Sequence, residues 1–428
     1  MKISPARSAA FDILLRVETE RAFTSVLLPI FEKDLDPRDR GLCHELVLGT
    51  LRRQMWLDRI IRVFAGNKKF DVQVLIAMRL GAYQLKFLDR IPAHSAINDS
   101  VELVRRARKS SAKGLVNAVL RKIATSTPAL EYTNDLERLS VEGSHPAWLV
   151  ERWMDQFGPD ETAKLVAANN TPPQLAFRVL GARTDLVDQL IRGSRPSEFV
   201  DGCFITENRG SATQLSEAGE IYIQDEGSQV VAAALESNET GRILDVCAAP
   251  GGKTGMVASR TASPVIAGDL HWHRVWQLRN NCSRQEARNV HVLQYDARDP
   301  LPFLAQSFDA VLVDAPCTGT GTIRHNPEVR YFLSPGDLVD LPQRQLAILG
   351  NAAETVRSGG QLVYSTCSLE REENEAVIET FLAADRRFTH RRPSVPGRFV
   401  TEAGYARTWP HRDAMDGFFI AALQKRTD

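Results

Sequence analysis

Apolar residues recur at helical spacing through the first 125 positions of the chain. Ala9, Ile13, Leu14 and Val17 fall on one face, as do Leu42, Leu46, Gly49 and Leu51, then Val72, Leu75, Ile76, Met78, Leu80 and Leu85. That period predicts amphipathic helices. Pro92 interrupts before a further run over 96–107, and Gly114 opens another over 115–123. The pattern is that of an all-helical bundle, closed by Thr125-Ser126-Thr127-Pro128 as a linker. Residues 145–235 are mixed. A helix starts at His145-Pro146-Ala147-Trp148 and Pro172-Pro173 ends the next one. Residues 175–179 then alternate as a strand, 184–191 as a helix and 221–224 as a short strand. A small α+β module is expected there. From about residue 240, strands at 242–246, 264–268, 290–294, 309–313 and 360–364 alternate with helices at 252–260, 272–287 and 341–356, and 417–423 reads as a last strand. Such alternation implies a mostly parallel sheet covered on both faces. The expected domains are 1–130, 145–235 and 236–428.

Length and composition agree with several domains. A chain of 428 residues exceeds one ordinary core, and 43% hydrophobic with 25% charged residues is a soluble globular balance. No apolar run is long enough to span a bilayer, and the stretch from Met1 to Arg7 lacks the apolar segment of a signal peptide. Six scattered cysteines without a C-x-x-C pair fit a reducing compartment and argue against a structural zinc site. The expectation is a cytoplasmic protein, a monomer with no membrane partner and no metal.

Net charge is zero but unevenly spread. Residues 1–130 hold 23 Lys and Arg against 13 Asp and Glu, which leaves a matching acidic excess in the rest. A basic module suggests a polyanionic partner, the alternative being a solvated helical surface. The densest cluster is Arg105, Arg106, Arg108, Lys109, Lys113, Arg121 and Lys122, the candidate contacts to such a partner's phosphates.

Chemistry concentrates at the predicted strand ends. After the strand at 242–246 comes Cys247-Ala248-Ala249-Pro250-Gly251-Gly252-Lys253-Thr254. Small residues and glycines there let a ligand lie against the backbone before a helix opens. The G-x-G-x-x-G spacing is missing, and a P-loop would need glycine where Cys247 stands. The next strand ends in Asp269, placed to bind ribose hydroxyls, and a third ends near Asp296, placed to meet an adenine amine. Acids at three successive strand ends, counting Asp245, favour an adenosyl ligand over three unrelated loop residues.

Two thiols end the two following strands. Asp314-Ala315-Pro316-Cys317-Thr318-Gly319-Thr320-Gly321 reads as a flexible loop, and Tyr364-Ser365-Thr366-Cys367-Ser368 as a turn into a helix whose N-terminus would favour the thiolate. A lone cysteine is usually a small buried hydrophobe. Two at carboxyl ends of strands, where open α/β sheets bind ligands, point to chemistry instead. Methylation of a pyrimidine carbon needs such parts. Carbon 5 of cytosine is weakly nucleophilic until a thiolate adds at carbon 6, and covalent catalysis splits the hard step. Asp314, if protonated, would hydrogen-bond the ring. A base in structured nucleic acid would first be swung out.

With these segments the chain resembles the bacterial RNA cytosine-5 methyltransferases, those acting on small-subunit rRNA in particular. The likeness rests on the three motifs above, on Trp409-Pro410-His411-Arg412-Asp413-Ala414-Met415-Asp416-Gly417-Phe418-Phe419, and covers nearly the whole chain. Ile97-Asn98-Asp99-Ser100-Val101-Glu102-Leu103 and Gly114 to Arg121 are similar to helices of NusB-like RNA-binding domains. The resemblance implies a Rossmann-like catalytic domain with a mostly parallel seven-stranded sheet, S-adenosylmethionine as cofactor and 16S ribosomal RNA as substrate. It implies Cys367 as nucleophile and Cys317 as the thiol that assists product release. Cys247, Ala248, Ala249, Pro250, Gly251, Gly252, Lys253, Asp269, Asp296 and Asp314 would hold or line the cofactor. Enzymes acting on DNA cytosine use the Pro-Cys thiol instead, so both motifs together favour RNA. Thr318 and Ala414 depart from the commoner serine and glycine without touching a catalytic group. A non-catalytic RNA-binding or antitermination factor would leave both thiols unexplained.

Overall fold

The computed structural model describes residues 3–181, 183–236 and 241–427, so the expected boundary at 236 abuts residues outside the described set. Two compact units divide the chain: Met1–Thr171 with Ile323–Leu333, and Pro172–Thr322 with Ser334–Asp428.

The first unit is helical, as its periodicity predicts. Helices run Pro5–Glu20, Thr24–Glu32, Pro37–Arg52, Gln54–Ala65, Val72–Phe87, Ala93–Arg106 and Lys113–Thr125, followed by Asp135–Gly143, Ala147–Phe157 and Pro159–Asn169. Ser4, Asp36 and Asn134 cap their helices by accepting from backbone N–H groups three residues on. The apolar faces of the first seven meet in one core that includes Ile13, Leu46, Leu57, Ile60, Met78, Leu80 and Leu120. Gly49 lets two of these helices touch, because a Cβ there would fall 2.0 Å from the Tyr83 hydroxyl. Ala147–Phe157 and Pro159–Asn169, read in the sequence as part of the small module, group with this unit. The reason is burial: Leu149, Val150, Trp153 and Leu165 are inaccessible, and the two helices pack on each other and on Asp135–Gly143.

The second unit carries two sheets. In the smaller, β1 (Leu175–Val179), β2 (Arg195–Pro196), β3 (Cys203–Thr206) and β4 (Ile221–Ile223) lie antiparallel in the order β2-β3-β1-β4. The larger contains β5 (Ile243–Asp245), β6 (Val265–Asp269), β7 (Val290–Gln294), β8 (Phe308–Asp314), β9 (Val356–Thr366), β10 (Phe388–Arg391), β11 (Ala406–Arg407) and β12 (Phe419–Lys425). Seven strands follow the order β10-β12-β9-β8-β5-β6-β7, and the two-residue β11 pairs with β12 off that path. β5 to β9 pair parallel, whereas β12 runs antiparallel against β9. The strands are apolar on both faces. Val311 and Val313 enter one core with the helix Asp337–Thr355, while Ala310 and Leu312 enter another with the helix Glu226–Ala233. β10 and β11 were not legible as strands, being four and two residues long.

Candidate active site

Every candidate acid and thiol of the sheet lies at the carboxyl end of a strand, and the sheet order makes those ends neighbours. Asp245 ends β5, Asp269 ends β6, Asp296 follows β7 by two residues, Asp314 ends β8 and Cys367 follows β9.

The two sulfurs meet. Cys317 Sγ lies 3.1 Å from Cys367 Sγ, and both are free thiols. That contact, then burial, raises the Cys317 thiol well above its ordinary value, with the charges of Glu373 and Asp314 adding to the effect. The Cys317 loop, expected to be flexible, is packed and hydrogen-bonded. Thr318, Thr320 and Gly321 are buried, and Gly321 N–H donates to the Cys367 carbonyl at 2.9 Å while Gly417 N–H donates to the Gly321 carbonyl at 2.9 Å. A Cβ on Gly321 would lie 2.0 Å from the Gly417 carbonyl oxygen, so a backbone crossing, not mobility, demands that glycine. The expected helix start beside Cys367 is also absent. A short turn at Arg371–Glu373 intervenes, and the helix begins only at Glu375. No helix dipole acts on that sulfur directly.

Asp314 and Lys253 form an ion pair. Lys253 Nζ donates to Asp314 Oδ2 at 2.7 Å, and Ser365, the register partner of Asp314 on β9, donates its hydroxyl to Oδ1 at 2.7 Å. Burial works against the Lys253 charge, but Asp314 outweighs it and the ammonium is raised above its usual range, with Cys367 contributing. Lys253 also lies 4.8 Å from the Phe418 ring centroid. From the cofactor loop it thus reaches the end of β8, where its partner Asp314 lies. Both oxygens of Asp314 accept from a donor.

The residues around β5 and β6 fit an adenosylmethionine. Asp245 is buried; Thr254 donates to its Oδ2 at 2.7 Å, and its Oδ1 has no hydrogen-bond partner. Burial pushes this carboxyl up to about 7. An orphaned buried acceptor is a place for the ligand's ammonium group. The helix Gly252–Ala258 is only seven residues long, so the loop's contribution is close backbone approach. Gly251 adopts φ +104°, and a Cβ there would meet Leu278 at 2.9 Å. Asp269 is buried at the end of β6, 3.4 Å from Arg274, which in turn donates to the Ala249 carbonyl at 2.8 Å. Arg298 holds Asp296 in a bidentate pair and draws its carboxyl down. Cys247, Ala248 and Ala249 lie between these acids, and burial pushes the Cys247 thiol up.

In the helical unit the basic cluster is only partly available. Arg105 pairs with Glu102 at 2.6 Å, Arg106 with Asp12, and Lys109 with Asp71 at 2.9 Å. Arg108, Lys113, Arg121 and Lys122 have no carboxylate within ion-pair distance among the described residues, and all but the half-buried Lys113 are exposed. Sequence reasoning missed Glu373, which touches both thiol loops, and Gln345, which bonds Pro316 and Glu373; the neighbours Glu372 and Asn374 made Glu373 read as an ordinary helix start.

Comparison with known proteins gives three family matches along the chain. The family described as 16S rRNA methyltransferase RsmB/F matches residues 232–424, the NusB family matches 4–125, and the RsmF/B-like ferredoxin-like domain matches 145–191. The probable ribosomal RNA small subunit methyltransferase B of Bacillus subtilis is 34% identical, over 100% of both chains. The ribosomal RNA small subunit methyltransferase B of Vibrio cholerae is 31% identical, over 99% of this chain and 98% of that one. Among solved structures, PH0851 superimposes with a TM-score of 0.84 at 27% identity, over 99% of this chain and 100% of that one. NSun6 from Pyrococcus horikoshii, solved with SFG, shares the fold with a TM-score of 0.57 at 23% identity, over 66% and 99%.

Proposed function

The chain belongs to the 16S rRNA methyltransferase B/F family, and we propose that it methylates carbon 5 of a cytosine through a covalent adduct with Cys367. S-adenosylmethionine is the methyl donor and supplies an electrophilic methyl group when bound. The observation that carries the finer reading is the pair of free sulfurs 3.1 Å apart at adjacent strand ends. One methyl transfer to oxygen or nitrogen needs no thiol; a carbon that must first be activated and later released has work for two.

The steps follow from the residues. Cys367 sulfur adds to ring carbon 6, and the ring electrons make carbon 5 nucleophilic. Ring nitrogen 3 needs a proton or hydrogen bond as this happens. Asp314 was expected to supply it in protonated form. In its ion pair the proton-bearing partner is Lys253, so Lys253 donates to the ring and Asp314 holds Lys253 in place. After methyl transfer, solvent water takes the proton from carbon 5, ring nitrogen 3 returns its proton to Lys253, the ring double bond re-forms as the carbon 6–sulfur bond breaks, and Cys367 leaves as the thiolate. Cys317, raised and in contact with that sulfur, assists the release. Cys247 to Lys253, Asp269 and, once freed from Arg298, Asp296 line the cofactor site, with Asp245 added by its orphaned oxygen.

The test separates the two thiols. Cys367→Ala abolishes methyl transfer and forms no adduct with RNA. Cys317→Ala accumulates a protein–RNA adduct that survives denaturing gels, because the added thiol is not released. An adduct in Cys367→Ala but not in Cys317→Ala would reverse the roles to the DNA type. Bisulfite sequencing of rRNA from a strain lacking the gene identifies the cytosine.

A further inference from the structure

One carboxylate touches both thiol loops. Glu373 is fully buried, and four donors converge on it. Thr318 N–H donates at 2.9 Å and the Gln345 amide at 3.0 Å to Oε1; the Thr318 hydroxyl at 2.5 Å and the Ser368 hydroxyl reach Oε2. Thr318 follows Cys317 and Ser368 follows Cys367. Gln345 also donates to the Pro316 carbonyl at 2.9 Å, so Cys317 is gripped on both sides, through Pro316 and through Thr318. The next residue does the same for the other sulfur. Asn374 donates to the Ser368 carbonyl at 2.9 Å, and its amide oxygen accepts from the Thr366 hydroxyl at 2.5 Å, the two residues flanking Cys367. The Tyr364 hydroxyl anchors the turn by donating to the Glu373 carbonyl at 2.7 Å.

We propose that Glu373 is a positioning residue that sets the spacing of Cys317 and Cys367 by holding Thr318 and Ser368 on one carboxylate. The inference rests on the covalent reading of the two thiols. The chemistry of the position supports it. The four groups around the side chain all donate, so the site calls for an acceptor-only side chain with two oxygens. Burying a carboxylate costs stability unless its oxygens are satisfied. Burial indeed raises the Glu373 carboxyl, opposed by the Ser368, Thr318 and Gln345 donors. Stability alone would be served by an apolar residue of this size. What the carboxylate adds is a fixed distance between two backbone segments 50 residues apart in sequence. A sulfur displaced by about 1 Å loses on the order of a hundredfold in rate.

The experiment reads that distance without RNA or cofactor. Diamide converts the two thiols to one disulfide, taking up their two protons and two electrons as it is reduced to the hydrazine. Mass mapping identifies the Cys317–Cys367 bond. In the full-length wild type, closure is fast; in Glu373→Gln it slows by about tenfold or more, because an amide cannot accept from all four donors. Methyl transfer by the same variant loses about tenfold or more in kcat, with the KM for rRNA and the affinity for S-adenosylmethionine within about twofold of wild type. Ser368→Ala, which removes one donor, is the second variant should Glu373→Gln fail to fold, and it slows closure by a few-fold. Wild-type closure rates in the variants overturn the inference. A slowed closure in a protein whose wild type makes no 5-methylcytosine would keep the positioning role and overturn the proposed reaction instead.

Discussion

At the scale of single residues, the sharpest consequence lies with Asp245. Its carboxyl is raised to about 7 from 3.8 by burial, so the ionised form is disfavoured in the fold. A raised acid contributes stability that is fully present below the unfolded value and is lost as pH rises through the folded one. The window therefore runs from about pH 4 to about pH 7. Three units correspond to about 4 kcal/mol as an upper figure. Asp245→Asn removes the titration and keeps the shape. Without cofactor, the variant's melting temperature should rise relative to wild type between pH 5 and pH 8, and its S-adenosylmethionine affinity should fall. A melting difference independent of pH would show that Asp245 does not titrate there. Most of the thiol and cofactor motifs could be read in the sequence because small residues and cysteines at strand ends have few structural reasons to be there. Glu373 could not, since its significance depends on Thr318 and Ser368 converging in space.

At the scale of elements, β5 to β9 and β12 were legible to within a few residues because each is an apolar run ended by turn residues, whereas β10 and β11 are too short to stand out. The segment Ile323–Leu333 was not. It follows the Cys317 loop in sequence yet packs with the helical unit, a placement that no local pattern signals. Its anchor is Arg330, fully buried, within hydrogen-bond distance of the carbonyls of Gly143, Ser144 and Asn169 and of Asn170 Oδ1. Burial lowers this guanidinium to about 10. Glu328 accepts from the Thr24 N–H at 2.8 Å and hydroxyl at 2.9 Å, and the Tyr331 hydroxyl donates to the Leu51 carbonyl at 2.7 Å. His145 is held neutral by burial and by Arg330, with its Nδ1–H on the Gly143 carbonyl. Arg330→Met strands several buried carbonyls and should destabilise the helical unit by about 3 kcal/mol. Urea unfolding of the full chain measures this in the transition that carries the helical signal. A loss below about 0.5 kcal/mol would show that those carbonyls do not depend on Arg330.

At the scale of the whole molecule, charge asymmetry predicts how the protein meets RNA. The excess of Lys and Arg sits in the first 130 residues, matching the NusB-family segment. The structure divides the basic cluster into two sets that should behave differently. Arg105, Arg106 and Lys109 already face Glu102, Asp12 and Asp71, so bringing a phosphate to them releases fewer counterions. Arg108, Lys113, Arg121 and Lys122 carry the charge that a phosphate would neutralise afresh. Each such contact contributes about 0.7 to the slope of log affinity against log salt on single-stranded RNA, so changing these four to Gln should flatten the slope by up to about 3. The Michaelis constant for RNA should rise, and cofactor affinity should stay unchanged, because phosphate contacts orient the nucleic acid without reading it. Changing Arg105, Arg106 and Lys109 to Gln should flatten the slope less. Equal effects from the two sets would mean that the ion pairs open on binding, and no effect from either would move the RNA footprint to another surface.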